Sequence, residues 1–343
     1  MKMKQNVRVA VLTVLEISLT IFIGLFSGCG GLDNKAPDVG ATNTIKDNSN
    51  QIKAVDAKYS GRTNSEKTDA PYVIPPILLP EAPGTATTEN DKAIIDHSNT
   101  QDGYIMAQYY GNYDKNVRLV VTGSDGVEYV YVLTPGGMIE AFPLSAGGGT
   151  YVVGIFEEVE NKRYALTITT TVEAYLTNEF APFVRPNQFV NFNLDSATVK
   201  KAVELARGES YRAGVIAAVY NYVVDNFTYD NELAKTVKTG YLPNVDSVLE
   251  SGKGICFDYA AVSAAMLRSL GIPTKLVTGY AANAFHAWIS VYSEEEGWIN
   301  NAIFFDGDSW KLMDPTFASG AKQSNQIMQF IGDGSNYTEK FQY

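Results

Sequence analysis

The chain has 343 residues, 45% of them apolar and 19% charged, and 38 Asp and Glu against 27 Lys and Arg give a net charge of −11. That balance excludes a disordered chain, a coiled coil, a collagen and a polytopic membrane protein, and an acidic chain repels phosphate backbones, so no nucleic acid is expected as a partner. Histidine occurs only at 97 and 286 and cysteine only at 29 and 256, too few for a closed Cys/His zinc site.

The N-terminus is an address. Lys2, Lys4 and Arg8 form a basic start, residues 9–26 are mostly apolar, and Leu25-Phe26-Ser27-Gly28-Cys29 follows. This order describes a secretory signal. Small residues directly before a Cys resemble the lipobox of bacterial lipoproteins, in which the Cys is acylated on sulfur and becomes the first residue after cleavage. Phe26 stands where that pattern usually has Leu, and Glu16 interrupts the apolar run. The resemblance implies a signal peptide over 1–28, lipidation at Cys29, and a chain on the extracellular face of the cell membrane, held there by its lipid. The competing reading is an uncleaved transmembrane anchor, against which a central Glu costs about 2.5–3.5 kcal/mol. Both readings export the bulk of the chain. With Cys29 lipidated, Cys256 has no partner within the chain, and a lone thiol outside the cell is exposed to oxidation without an evident structural reason.

Residues 29–90 are rich in Asn, Asp, Lys, Thr, Ser and Pro and read as a disordered tether. Over 91–185 short runs rich in Val, Tyr, Thr and Ile (104–110, 117–122, 127–134, 150–157 and 163–173) alternate with Gly- and Pro-rich turns. That spacing predicts a small all-β domain, an Ig-like sandwich, acting as a spacer or binding module. From 186 to 343 the pattern is helical first, over 197–206 and 210–226, with a third helix from about Cys256 to Leu270. Gly271 sits at the left-handed cap position and Pro273 blocks continuation. Strands are expected at 275–280, 287–292, 298–305 and 310–313, so this domain is α+β.

Three residues could carry chemistry. Cys256 follows the glycine loop Ser251-Gly252-Lys253-Gly254-Ile255 and opens the third helix, where the macrodipole and unpaired N–H groups favour a thiolate. The plain alternative is a small buried core residue. His286 opens an apolar strand, where a lone His is more often a satisfied core group. Asp314 precedes Pro315, where an Asp is more often a turn former. Together they supply a nucleophile, a base and an orienting carboxylate.

The blocks Gly252-Lys253-Gly254-Ile255-Cys256-Phe257-Asp258-Tyr259-Ala260, Met266-Leu267-Arg268, Gly271-Ile272-Pro273, Val277-Thr278-Gly279-Tyr280, His286-Ala287-Trp288 and Met313-Asp314-Pro315-Thr316 resemble the transglutaminase-like core, over roughly 210–320. The resemblance implies a papain-like α+β fold with Cys256 as nucleophile, His286 as base and acid, and Asp314 orienting His286. It implies attack on a peptide or carboxamide carbonyl through a thioester, by a protease, an amidase or an amine acyltransferase, on a peptide, protein or cell-wall peptide. The backbone N–H of Cys256 is one oxyanion donor; Tyr229 and Tyr241 are candidates for a second, and Asp258 reads as structural at the helix start. No loop has the acidic density of an EF-hand, so no cofactor is expected. The competing function is a catalytically idle surface binding or scaffold lipoprotein.

Overall fold

The structure is a computed structural model that describes residues 71–293, 297–299, 303–305, 310–312, 316 and 336–343. The expected signal peptide, Cys29, most of the tether and Asp314 lie outside the described residues. The chain divides into two compact units, one including 80–182 and the other 71–79 with 183–343.

The first unit is all-β. Its strands are β1 (Thr87–Glu89), β2 (Ala93–Asp96), β3 (Tyr104–Tyr109), β4 (Val117–Thr122), β5 (Glu128–Leu133), β6 (Glu140–Pro143), β7 (Gly149–Glu160) and β8 (Arg163–Ala174). They form two four-stranded antiparallel sheets, in the orders β1-β2-β3-β6 and β5-β4-β7-β8. The period-2 pattern determines which side chains go inward. On β4, Val117, Leu119 and Val121 are buried while Arg118 and Thr122 are partly exposed. Leu119 pairs with Tyr131 on β5 and Ile155 on β7, both buried. From the other sheet, Phe142 meets Tyr131 edge-on at 4.8 Å between centroids.

The second unit is α+β. It carries α1 (Ala197–Ala206), α2 (Arg212–Asn226), β9 (Thr228–Tyr229), α3 (Asn231–Thr236), α4 (Val245–Ser251), β10 (Lys253–Gly254) and α5 (Cys256–Ser269). Strands β11 (Thr274–Ala281), β12 (Ala284–Ser293), β13 (Gly297–Ile299), β14 (Ile303–Phe305), β15 (Trp310–Leu312) and β16 (Tyr337–Gln342) follow. Four of these form an antiparallel sheet in the order β13-β12-β11-β16, β9 and β10 pair in parallel, and β14 pairs with β15. Every residue of α5 is buried, in keeping with its mostly apolar sequence, and Asp258 and Arg268 are buried with it. The helix packs on β11 and β12, with α1, α2 and α4 also against it. It ends in a Schellman motif: Gly271 has φ +74°, its N–H donates to the Arg268 carbonyl, and the Ile272 N–H donates to that of Leu267, each at 3.0 Å. The buried Arg268 guanidinium donates to the carbonyls of Thr274 (2.8 Å), Arg185 (2.9 Å) and Tyr343, joining three segments.

Two expectations are corrected. The tether does not extend to residue 90. The Tyr72 N–H donates to the Glu209 carbonyl at 2.8 Å and its hydroxyl to that of Leu270 at 3.1 Å, Pro75 lies against Gly271, and β1 lies within 87–89. Prolines fix an extended chain without any apolar period, so composition hides this order. The single strand expected over 298–305 is two strands, β13 and β14, in different sheets.

Candidate active site

The approach to Cys256 is fixed residue by residue. Helix α4 ends at Gly252, whose φ of +59° closes its last turn, the Gly252 N–H donating to the Val248 carbonyl at 2.9 Å. A Cβ there would also lie 2.8 Å from the Asn226 carbonyl oxygen. Lys253 and Gly254 then run beside β9, with the Thr228 N–H donating to Gly252 O and the Asp230 N–H to Gly254 O, each at 2.8 Å. Ile255 is extended and its carbonyl accepts from the Tyr259 N–H at 3.1 Å, so α5 opens at Cys256. The expected helix start is therefore observed, and Cys256 is buried at 3% exposure. A thiol in this place shares its end of the helix with the backbone N–H groups that the first turn leaves without intrahelical acceptors.

His286 is buried on β12 and faces Gly279 of β11 across the ladder. Its ring lies nearly parallel to that of Trp288, two residues on, at 6.3 Å and 25°. Tyr337 of β16 stands 6.3 Å from His286 and 5.2 Å from Trp288. Helix and strand geometry relate this His to the thiol. Arg268, near the end of α5, bonds Thr274, and Thr274 pairs with Val291 of β12. From Arg268 back to Cys256 is about 18 Å of helix. From Val291 back to His286 is about 17 Å of strand. Each group thus lies about one element length from the Arg268–Thr274 junction, on a helix and a strand that pack together. Asp314, two residues past β15, is outside the described residues.

Asp258 has the structural place at the helix start that the sequence suggested, but its tie to Tyr241 was not foreseen. It is fully buried, accepting from the Ile255 N–H at 2.8 Å and from the Tyr241 hydroxyl at 2.7 Å. Burial pushes its carboxyl above the usual range, against the pull of those two donors. Burial and the neighbouring Asp258 likewise push the Tyr241 phenol well above its ordinary value. Tyr241 thus donates its hydroxyl hydrogen bond to Asp258, which argues against it as an oxyanion donor; Tyr229 is half-buried beside Gly254. The available signal was the third-position acid of a capping box, half of which is missing because the Ile255 side chain has no acceptor. Among the described residues no group of three or more His, Cys, Asp or Glu is placed to hold a metal ion.

Residues 199–315 match the family model of the transglutaminase-like superfamily. A protein of Mycobacterium leprae of uncharacterized function is 25% identical over 244 residues, covering 64% of this chain and 77% of its own length. The protein-glutamine gamma-glutamyltransferase of Pseudomonas aeruginosa is 25% identical over 107 residues, 27% of this chain. The chain spans only 14% of that enzyme's length and 16% of the uncharacterized protein YebA of Bacillus subtilis, to which it is 28% identical over 118 residues, 29% of this chain. Among solved structures, the periplasmic domain of TgpA from Pseudomonas aeruginosa aligns over 71% of this chain and all of its own, at 14% identity and a TM-score of 0.32. The glycine loop, the buried Cys256 at a helix start, the buried His286 on the adjoining sheet and the family match together establish that this chain carries a transglutaminase-like domain over residues 199–315.

Proposed function

We propose that the chain is an exported, lipid-anchored thiol enzyme that attacks peptide or carboxamide carbonyls through a thioester on Cys256. The observation that carries this reading is a buried thiol on the first residue of α5, a helix that packs on β12, the strand that holds the buried imidazole of His286. The Cys256 thiolate adds to the carbonyl carbon, and its own backbone N–H meets the oxyanion. His286, as imidazolium, gives its proton to the departing nitrogen as the C–N bond breaks, leaving a thioester. The neutral imidazole then takes a proton from water as its oxygen adds; the C–S bond breaks, an acid leaves, and the thiolate–imidazolium pair is restored. An amine in place of water would give transamidation; hydrolysis of protein or cell-wall peptide amides is the favoured outcome. Asp314 would accept from the other imidazole nitrogen and hold the ring in one orientation.

The full-length chain carrying Cys29→Ser has Cys256 as its only thiol. Its alkylation by iodoacetamide is expected to titrate well below the value of about 8.5 of an ordinary thiol, and His286→Ala to raise that midpoint. A midpoint near 8.5 that ignores His286 would refute the enzyme and favour an idle scaffold. Anchoring is read from the same substitution: labelled palmitate should enter the unsubstituted chain and not the Cys29→Ser chain, and equal labelling would refute lipidation there.

A further inference from the structure

We infer that Asp258, held by Tyr241, is a positioning residue for Cys256: its carboxylate locks the turn that delivers the thiol to the start of α5. The inference rests on the reading of Cys256 as the nucleophile. A carboxylate without solvent is tolerated only where donors compensate it, and both oxygens here have one. The Ile255 N–H at 2.8 Å belongs to the residue immediately before the thiol, and the Tyr241 hydroxyl at 2.7 Å comes from the segment between α3 and α4. Gly254 closes the arrangement, because a Cβ on it would lie 2.6 Å from the Asp258 Cβ and 2.9 Å from Oδ2. The loop backbone is therefore packed directly against the carboxylate.

On its other side the same loop is tied to β9 through Gly252 O and Gly254 O. A turn fixed on both sides has one way to enter the helix, so the N–H groups at its start and the Cys256 sulfur keep a constant relation. The charged group bearing on the carboxyl is Asp230, which opposes its ionisation and is itself paired with Lys253 at 3.4 Å. A cap alone would be served by a Ser or Thr at position 255. Here the acceptor instead reaches back from the third helical residue, and a tyrosine from a separate segment holds it.

The test is the pH dependence of iodoacetamide alkylation in the full-length Cys29→Ser chain, with melting temperature recorded beside it. Asp258→Ala removes the acceptor, and its midpoint is expected to rise by about one unit, a roughly tenfold loss of thiolate at any pH below it. Asp258→Asn keeps an acceptor for the Ile255 N–H, and its midpoint should stay at or below that of the parent. Tyr241→Phe should raise the midpoint by a smaller amount. A role confined to stability would lower melting temperature and leave all three curves together. Asp258→Asn and Asp258→Ala that titrate alike would overturn the inference, as would a Tyr241→Phe curve at or below the parent. Should Asp258→Ala not fold, Tyr241→Phe decides alone. His286→Ala on the parent reports separately on the enzyme reading, so the two failures are distinguishable.

Discussion

Asp230 is tied to the loop before Cys256 by its backbone and to α3 by its side chain. Its carboxylate accepts from the Leu233 N–H at 2.9 Å and the Glu232 N–H at 3.1 Å, while its own N–H holds Gly254 O. The Leu233 hydrogen bond foremost, helped by Lys253 and Glu232 against some desolvation, keeps its carboxyl below the ordinary 3.8. A depressed folded value means that the stabilisation is complete above 3.8 and is lost as pH falls through the lower folded value. Removing this cap with Asp230→Ala is expected to cost about 1 kcal/mol near neutral pH, and that deficit should shrink on the acid side. Urea unfolding of both proteins at the two pH extremes checks it; a deficit independent of pH would show that the charge is not what caps α3. Asp258 runs the opposite way. Its folded value is raised by burial, so its contribution is fullest below 3.8 and declines as pH rises through the raised value. Capping and burial thus drive two carboxylates near one loop in opposite directions.

At the scale of elements, the wall beside His286 depends on β16 lying close to β11. The ladder between them shifts register at Thr278/Gly279, and a Cβ on Gly279 would strike the Thr338 carbonyl and lie 2.9 Å from Cη2 of Trp288. Backbone cannot yield as a flexible side chain can. Gly279→Ala should therefore cost about 1–3 kcal/mol and detach Tyr337 from Trp288. The measurements are denaturant unfolding and the rate of limited proteolysis within β16; wild-type values of both would refute the close approach. No sequence pattern points to β16, whose Tyr-Thr-Glu-Lys-Phe-Gln lacks a clean apolar alternation and whose partner lies far upstream. Helices α3 and α4 are equally hidden, since six and seven residues are too few to show a period, and only Asp230 and Asn244 mark them, as N-caps. Strand β6 ends in Pro143, which argues against a central strand and is tolerated here because β6 is an edge. By contrast α5 was legible at both ends, from the glycine loop before Cys256 and from Gly271 after it. The same glycines that made Cys256 conspicuous permit the packing around Asp258, but a hydrogen bond from Tyr241, seventeen residues upstream of Asp258, leaves no periodic trace.

At the scale of the whole molecule, the second unit is discontinuous in sequence. Residues 71–79 join it through Tyr72 and Pro75, the chain then builds the all-β unit, and it rejoins the second unit at 183. The first unit is self-sufficient by its own accounting. Its two sheets pair only strands from within 80–182, and its core of Ile95, Ile105, Leu119, Tyr131, Phe142 and Ile155 is drawn from both. About 100 residues is enough to bury such a core without disulfides. The fragment 80–182 is therefore expected to fold alone, with a β-type circular dichroism spectrum and one cooperative thermal transition. The complementary experiment removes Tyr72 from the second unit: Tyr72→Ala in the full chain should lower the melting of the α+β unit, followed by the fluorescence of the three tryptophans, 288, 298 and 310, all within it, and leave the all-β transition in place. An 80–182 fragment that binds hydrophobic dye and melts without cooperativity would show that the all-β unit needs the rest of the chain. A Tyr72→Ala chain in which both transitions fall together would show that the units unfold as one. With neither result, the seam at 182 is a real boundary, and the segment before it belongs to the domain that carries Cys256.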